Sequence, residues 1–329
     1  MVAKDMSEEE FKSYKPAHTN QEVIELTETV LGRKVKSLDR KNLGEINAVY
    51  FADMEGGPEC VIRISPKERD YNTFLQEAWA FGGCRTVSVP TPEVLAVDVS
   101  LAQFPEAYMI TKRIRGISGE KAEFTDEQKI DVLKQLGHYV SLIHSIKIPG
   151  FGKFKQQGEE FVGKYNSLWE SLMHEFESGW WLETVFRDGL LSKEKVEEYK
   201  KRFEQNRALF DLDSASLTHG DVSLKNIIVD GTTITGIVDM ENSAAADPIH
   251  DFQWFHFWTE GKGPYFAALQ EGYDNKPLFD GNFMKKLYLY QLLLSSSLLA
   301  YYHNRKNHGG LSFVQRRTPI IERELDGLK

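Results

Sequence analysis

Thr218-His219-Gly220-Asp221-Val222-Ser223-Leu224-Lys225-Asn226, followed closely by Gly236-Ile237-Val238-Asp239, constrains this chain more than any other stretch. Ile227-Ile228-Val229 and Ile234-Thr235-Gly236-Ile237-Val238 read as short buried strands, with Asp230-Gly231 as the turn between them. The predicted hairpin carries Asn226 and Asp239 to the same end on opposite arms, where an amide oxygen and a carboxylate can share one hard cation. Asp221 lies just ahead of that end. A carboxylate that orients a hydroxyl and accepts its proton, beside two oxygen ligands for Mg2+ on nucleotide phosphates, is the equipment of phosphoryl transfer. Taken singly, each residue has a local alternative: Asp221 as a turn cap, Asn226 and Asp239 as Asx turns. Their joint spacing favours the chemical reading.

A chain of 329 residues is long enough for two lobes around such a site. Its net charge of −9 argues against nucleic acid, whose phosphates reward basic surfaces. The most apolar run, Leu287 to Tyr302, is interrupted by Gln291 and three serines and reads as a core helix, so no membrane span is expected. The N-terminal Ser7-Glu8-Glu9-Glu10 region lacks the apolar core of a signal peptide, and a cytoplasmic location is the expectation. Cys60 and Cys84 match no zinc or redox spacing and are expected to be buried thiols.

Residues 1–20 are polar and read as an N-terminal extension. Residues 21–113 open with a helix ending at Gly32 and continue mostly as strands. Ala48–Ala52 and Cys60–Ile64 flank a Glu55-Gly56-Gly57-Pro58 turn, a helix follows near Tyr71–Phe81, and Val94–Val97 and Ala107–Thr111 are further strands. From residue 114 to 329 the chain is helical around the catalytic hairpin. Thr125 and Gln128 form a capping box ahead of Ile130, Leu133, Leu136, Val140 and Ile143. Two more helices are predicted, near 167–185 and 193–209. The expected fold class is α+β: a small antiparallel β-rich lobe, a hinge and a larger helical lobe.

With these segments in place, the chain resembles the aminoglycoside phosphotransferase family, which has the protein-kinase-like fold. The resemblance runs from about residue 35 to 260, through Val61-Ile62-Arg63-Ile64, Val89-Pro90-Thr91-Pro92-Glu93-Val94-Leu95, Leu142-Ile143-His144-Ser145, the His219 to Asp239 region and Asp247-Pro248 with Asp251. Gly150-Phe151-Gly152 and Trp169 are similar to hygromycin B phosphotransferases. The resemblance implies ATP or GTP as donor, Mg2+ on Asn226 and Asp239, and Asp221 as the catalytic base. It implies His219 and Asp251 as supports of the catalytic loop. Arg63 then stands where kinases grip phosphates with a lysine, partnered by Glu77, for which an exposed helix position is the alternative. Gly44 and Asn47 fall where a phosphate-covering loop belongs, or form an ordinary turn. Lys112, Arg113 and Ile114 would offer hinge backbone to the purine.

The departures narrow the acceptor. Ser223 stands where protein kinases place a lysine, Asp239-Met240-Glu241 replaces Asp-Phe-Gly, and no activation segment is present, so a protein acceptor is not expected. Glu241, Asp247, Asp251, Glu260, Glu271 and Asp274 follow the metal loop, interleaved with Trp254, Phe255, Phe257 and Trp258. Carboxylates and aromatics suit a cationic, hydroxyl-bearing small molecule, with Glu241 and Glu260 the first candidates to touch it. Core packing of the aromatics is the competing explanation. An aminoglycoside-type antibiotic is the leading acceptor. The alternatives are a metabolite alcohol (choline-like, sugar or homoserine-like) and a nucleotide-binding module without catalysis.

Overall fold

Residues 17–42, 47–66 and 72–328 are described by the computed structural model. Gly44 and most of the predicted N-terminal extension lie outside them. Helix α1 (Asn20–Leu31) starts on a Thr19–Glu22 capping box and stops at Gly32. It lays Val23 and Leu26 on a five-stranded antiparallel sheet of order β1-β2-β3-β5-β4. The strands are β1 (Val35–Lys41), β2 (Ala48–Met54), β3 (Cys60–Ile64), β4 (Val94–Asp98) and β5 (Tyr108–Lys112). Strand periodicity decides what β3 offers: Cys60, Ile62 and Ile64 point into the small core, so Arg63 must face the other way, toward α2 (Asn72–Thr86).

That helix belongs to the neighbouring lobe as much as to its own. Phe74, Ala80, Phe81 and Cys84 of α2 join the main hydrophobic core with Val140 and Ile143 of α3 (Asp126–Ser145), whose Thr125–Gln128 capping box forms as expected. After β6 (Ile117–Ser118) and α3 come β7 (Lys147–Ile148) and a hairpin of β8 (Phe151–Gln157) and β9 (Glu160–Tyr165). This hairpin is not expected from the sequence, because Phe151 to Gln157 is polar and lacks the β-branched alternation of a strand. Tertiary contact stabilises it: Trp79 of α2 packs on Phe154 and Phe161, with its indole N–H donated to Glu160 Oε2 at 2.8 Å.

The helix predicted over 167–185 is two, α4 (Leu168–Ser178) and α5 (Leu182–Arg187), interrupted at the extended Gly179. Next are α6 (Lys193–Gln205), β10 (Ala215–Thr218) and the hairpin of β11 (Ile227–Asp230) and β12 (Thr233–Ile237). The hairpin pairs Ile227 with Ile237 and Asp230 with Thr233, with a bulge between Ile228 and Val229, so the tight turn is Gly231-Thr232, one residue beyond the expected Asp230-Gly231. Strand β13 (Ala244–Ala246) and helices α7 (Ile249–Thr259), α8 (Tyr265–Gly272), α9 (Phe283–Asn304) and α10 (His308–Gly327) complete the lobe. Among the described residues no helix is long and apolar enough to cross a membrane, and Cys60 and Cys84 are both buried free thiols. The whole is the expected α+β, two-lobed, kinase-like arrangement.

Candidate active site

Strand β10 delivers the chain to a sharp turn at His219-Gly220. Gly220 has φ +82°, and a Cβ there would fall 2.2 Å from the Asn242 carbonyl oxygen, so only glycine fits. The turn is held from α7. Asp251, buried in the first turn of that helix, accepts the backbone N–H of His219 at 2.8 Å and that of Gly220 at 2.7 Å. His144 of α3 donates through Nε2 to the same carboxylate at 2.9 Å. Burial alone pushes Asp251 up, but the hydrogen bond and positive character of His144 outweigh it and bring the group down to about 2. His219 Nδ1 accepts the Asp221 N–H at 3.2 Å, so Nε2 carries the proton and donates to the Val238 carbonyl at 3.0 Å. Both ring nitrogens are thus engaged in fixing the loop.

The turn aims Asp221 outward with both carboxylate oxygens positioned. Trp254 Nε1 donates to Oδ1 at 2.6 Å, and Lys225 Nζ lies 3.0 Å from Oδ2. Neither contact is expected from the sequence, where Trp254 is grouped with the acceptor-side aromatics and Lys225 is given no role. Trp254 is three positions beyond Asp251, on the same face of α7, a helical spacing that could have paired them. Lys225 supplies beside the aspartate the cation that Ser223 does not. Asn226 Nδ2 donates to the Asp221 carbonyl at 2.9 Å, which leaves its Oδ1 as the side-chain atom able to meet a cation. Across the hairpin the Val238 N–H donates to the Asn226 carbonyl at 3.0 Å, bringing Asp239 to the same end. Asp239 is in the left-handed region at φ +66° and half-exposed, a strained placement that turns the carboxylate into the cleft.

Arg63 closes the site from the β lobe. Its Nη1 donates to both oxygens of Glu77 at 2.7 Å, its Nη2 lies 3.3 Å from Glu241 and 3.8 Å from Asp239, and its guanidinium sits over the Phe74 ring. Burial pushes Glu77 up, to about 7, against the pull of Arg63, with Asp239 and Glu241 adding to the push. The arginine, always charged, is raised further by these carboxylates despite its own burial. Glu77 is therefore fully buried and not the exposed helix residue that was the alternative. Gln76, next to it, donates to the carbonyls of Glu241 and Ser243 at 3.3 and 3.0 Å, tying α2 to the loop after Asp239.

Other expected positions need correction. Lys112 N–H donates to the Glu93 carbonyl and Arg113 N–H to that of Glu59, both at 2.8 Å. Those two backbone donors, expected to be on offer at the hinge, are taken up within the β lobe. Asn47 is buried at the head of β2. Glu241, expected on the acceptor side, turns its carboxylate to Arg63 Nη2 at 3.3 Å. The acidic acceptor wall does not assemble either. Asp247 is buried against Lys286 and Tyr290, and Asp251 is occupied as described. Glu260 pairs with Lys262, Glu271 with Lys134 and Asp274 with His138. Phe255 and Phe257 are core residues, while Trp254 and Trp258 are only partly covered. Sequence proximity grouped these carboxylates; helical geometry sends them to different faces.

The family model described as "Phosphotransferase enzyme family" matches residues 40–285. No curated protein matches the sequence. Among solved structures, a thermostable mutant of aminoglycoside phosphotransferase APH(4)-Ia, in ternary complex with AMP-PNP and hygromycin B, superposes with a TM-score of 0.69 at 17% identity, covering 92% of this chain and 98% of that one. The gentamicin complex of APH(2")-IIa gives 0.66 at 17% identity, over 92% and 97% of the two chains. A putative fructosamine-3-kinase from Thermobifida fusca gives 0.66 at 14% identity, over 91% and 99%. At these identities the structural likeness is one of fold.

Proposed function

Because the chain belongs to the phosphotransferase enzyme family, we propose that it transfers the γ-phosphate of ATP, or of GTP, to a hydroxyl of a small molecule, with Asp221 as the base. The observation that carries this is the doubly held Asp221 carboxylate, fixed by Trp254 and Lys225 beside Asn226 and Asp239. The acceptor hydroxyl donates to Asp221, and its oxygen bonds to the γ-phosphorus as the bond to the bridging β–γ oxygen breaks. The nucleoside diphosphate leaves and the proton passes to the carboxylate. Arg63, anchored on Glu77 through Nη1, turns Nη2 toward the phosphates in place of Glu241. Asn226 Oδ1 and the Asp239 carboxylate suit Mg2+, a hard cation that takes few protein oxygens beside phosphate and water and would neutralise charge developing on the phosphates.

An aminoglycoside acceptor is supported by the antibiotics bound in the neighbouring structures. A metabolite alcohol is supported by the dispersal of Glu241, Asp247, Asp251, Glu260, Glu271 and Asp274 onto other partners, which removes the negative surface a polycation would use. Acceptor-dependent ADP or GDP release decides between them, measured over aminoglycosides, choline, homoserine and simple sugars. Turnover with aminoglycosides alone establishes the antibiotic reading; turnover with the others alone rejects it; nucleotide binding with no turnover on any acceptor points to the non-catalytic module.

Two results should follow from the nucleotide side. Asp239→Ala removes a charged ligand and is expected to weaken Mg2+-dependent nucleotide binding more than Asn226→Ala, which removes a neutral one. Titration of Mg2+ against a nonhydrolysable nucleotide measures this, and unchanged metal dependence in both variants places the ion elsewhere. Arg63→Ala is expected to raise the nucleotide KM by roughly 10- to 100-fold, since hydrogen bonds to charged groups contribute about 1.5–3 kcal/mol. Glu77→Ala should act largely through the freed arginine, so the double variant should lose about 1–3 kcal/mol less than the sum of the singles. Strict additivity in that cycle would show that Glu77 does not position Arg63.

A further inference from the structure

We infer that Lys225 is a mobile catalytic cation, which holds the Asp221 carboxylate while the site is empty and passes to the transferring phosphoryl group when an acceptor hydroxyl arrives. This rests on the phosphotransfer reading of Asp221.

The two oxygens of Asp221 are held by unlike partners. Oδ1 takes the indole N–H of Trp254 at 2.6 Å, and Oδ2 lies 3.0 Å from Lys225 Nζ. The indole is a rigid ring with a single donor. The ammonium has three donors and stands at the end of a flexible four-carbon stem. To deliver its proton, an acceptor hydroxyl must come within about 2.6–3.2 Å of the carboxylate. It therefore competes for the oxygen whose partner can move, which is Oδ2.

The backbone beneath Lys225 is fixed, and its side chain is not. Leu224–Asn226 forms one short 3₁₀ turn. Asn226 Nδ2 donates to the Asp221 carbonyl at 2.9 Å, and the Ser118 hydroxyl of β6 donates to the Lys225 carbonyl at 3.1 Å. Val222 and Asn226 are buried and Leu224 packs on the main core, whereas the Lys225 side chain is 51% exposed. From Asp221 to Asn226, Lys225 is the one exposed residue. The loop thus holds a long cationic side chain by its base, one position before the asparagine suited to the ion.

Charge gives the movement its direction. Once a hydroxyl takes Oδ2, the ammonium loses its hold on one anion. Another has arrived beside it, because the attacking oxygen lies between Asp221 and the γ-phosphorus. The transition state spreads negative charge over three equatorial oxygens, and a cation placed there acts where charge develops. Arg63 cannot make this exchange: it is mostly buried, tied to Glu77 through Nη1 and facing the site from the β lobe. Both ring nitrogens of His219 are engaged within the loop. Lys225 gives up no proton in this step. It donates hydrogen bonds, while the acceptor proton goes to Asp221.

The test uses the full chain and MgADP with aluminium fluoride, an anionic mimic of the phosphoryl group in transfer. Wild type should bind MgADP more tightly when aluminium fluoride is present, as expected of a site complementary to the transition state. That gain is expected to fall about tenfold or more in Lys225→Met, with affinity for MgADP alone unchanged, and to be retained in Lys225→Arg. Asp221→Asn should keep the gain, since it removes the base and leaves the lysine able to reach the phosphoryl mimic. With the acceptor that the turnover screen identifies, Lys225→Met should lower kcat about 10²–10³-fold and leave the nucleotide KM unchanged. An undiminished gain or an unchanged kcat in Lys225→Met overturns the inference alone. So does a loss in Asp221→Asn as large as that in Lys225→Met, because the lysine would then act only through the base. Wild type that gains nothing from aluminium fluoride and turns over no acceptor overturns the phosphotransfer reading, and this inference with it.

Discussion

Replacing Asp221 by asparagine is expected to lower kcat by about 10²-fold or more, because general-base catalysis typically contributes ~10²–10⁴-fold. The exchange preserves size, and the amide oxygen can still accept the Trp254 N–H that now reaches Oδ1 at 2.6 Å. What it removes is the negative charge that takes the acceptor proton and holds Lys225. Nucleotide affinity should hardly change, since Arg63, Asn226 and Asp239 are untouched. Single-turnover measurement with saturating nucleotide isolates the chemical step. Equal rates for the two proteins would remove Asp221 from the mechanism.

The second large effect is on folding. Asp251→Ala should destabilise the protein by about 3–5 kcal/mol, the range for removing one partner of a buried charged network. The variant strands the backbone N–H groups of His219 and Gly220 and the Nε2 of His144 in a buried site. The effect should depend on pH with a definite sign. Asp251 is depressed from 3.8 to about 2, so its stabilising charge is fully present above 3.8 and is lost as pH falls through that window toward 2. By linkage this contributes about 2 kcal/mol. Urea denaturation of wild type and variant should therefore show a gap that is constant near neutrality and narrows in acid. A gap that stays the same down to pH 2 would mean that geometry alone, not charge, makes Asp251 stabilising.

The legible part of this protein is the part governed by local rules. The apolar runs Ile227–Val229 and Ile234–Val238, with Asp230-Gly231 between them, specify a hairpin that sets Asn226 and Asp239 at one end, although a bulge between Ile228 and Val229 moves its turn to Gly231-Thr232. The Thr125 capping box and the Gly32 stop are read from a few neighbouring residues because the hydrogen bonds they make are to neighbouring residues. The pairing of Arg63 with Glu77 was implied by the family resemblance, and only packing shows that Glu77 is buried.

What remained hidden depends on contacts between residues far apart in the chain. The β8–β9 hairpin has little strand character of its own and is held by Trp79, more than seventy positions before its nearest contact. Trp254 became visible as a partner of Asp221 only when α7 was laid beside the loop, whereas Lys225, four residues after Asp221, is a local partner. The acceptor surface shows the same limit most clearly: carboxylates adjacent in sequence after Asp239 suggested an acidic wall, but the pitch of α7 and the packing of α3, α8 and α9 give each a different partner. By itself the sequence determined the fold class, the catalytic hairpin and the carboxylate at its head, because short-range periodicity and turn chemistry encode them. Only the tertiary structure decided which partner each carboxylate after Asp239 takes, because those pairings join residues distant in the chain.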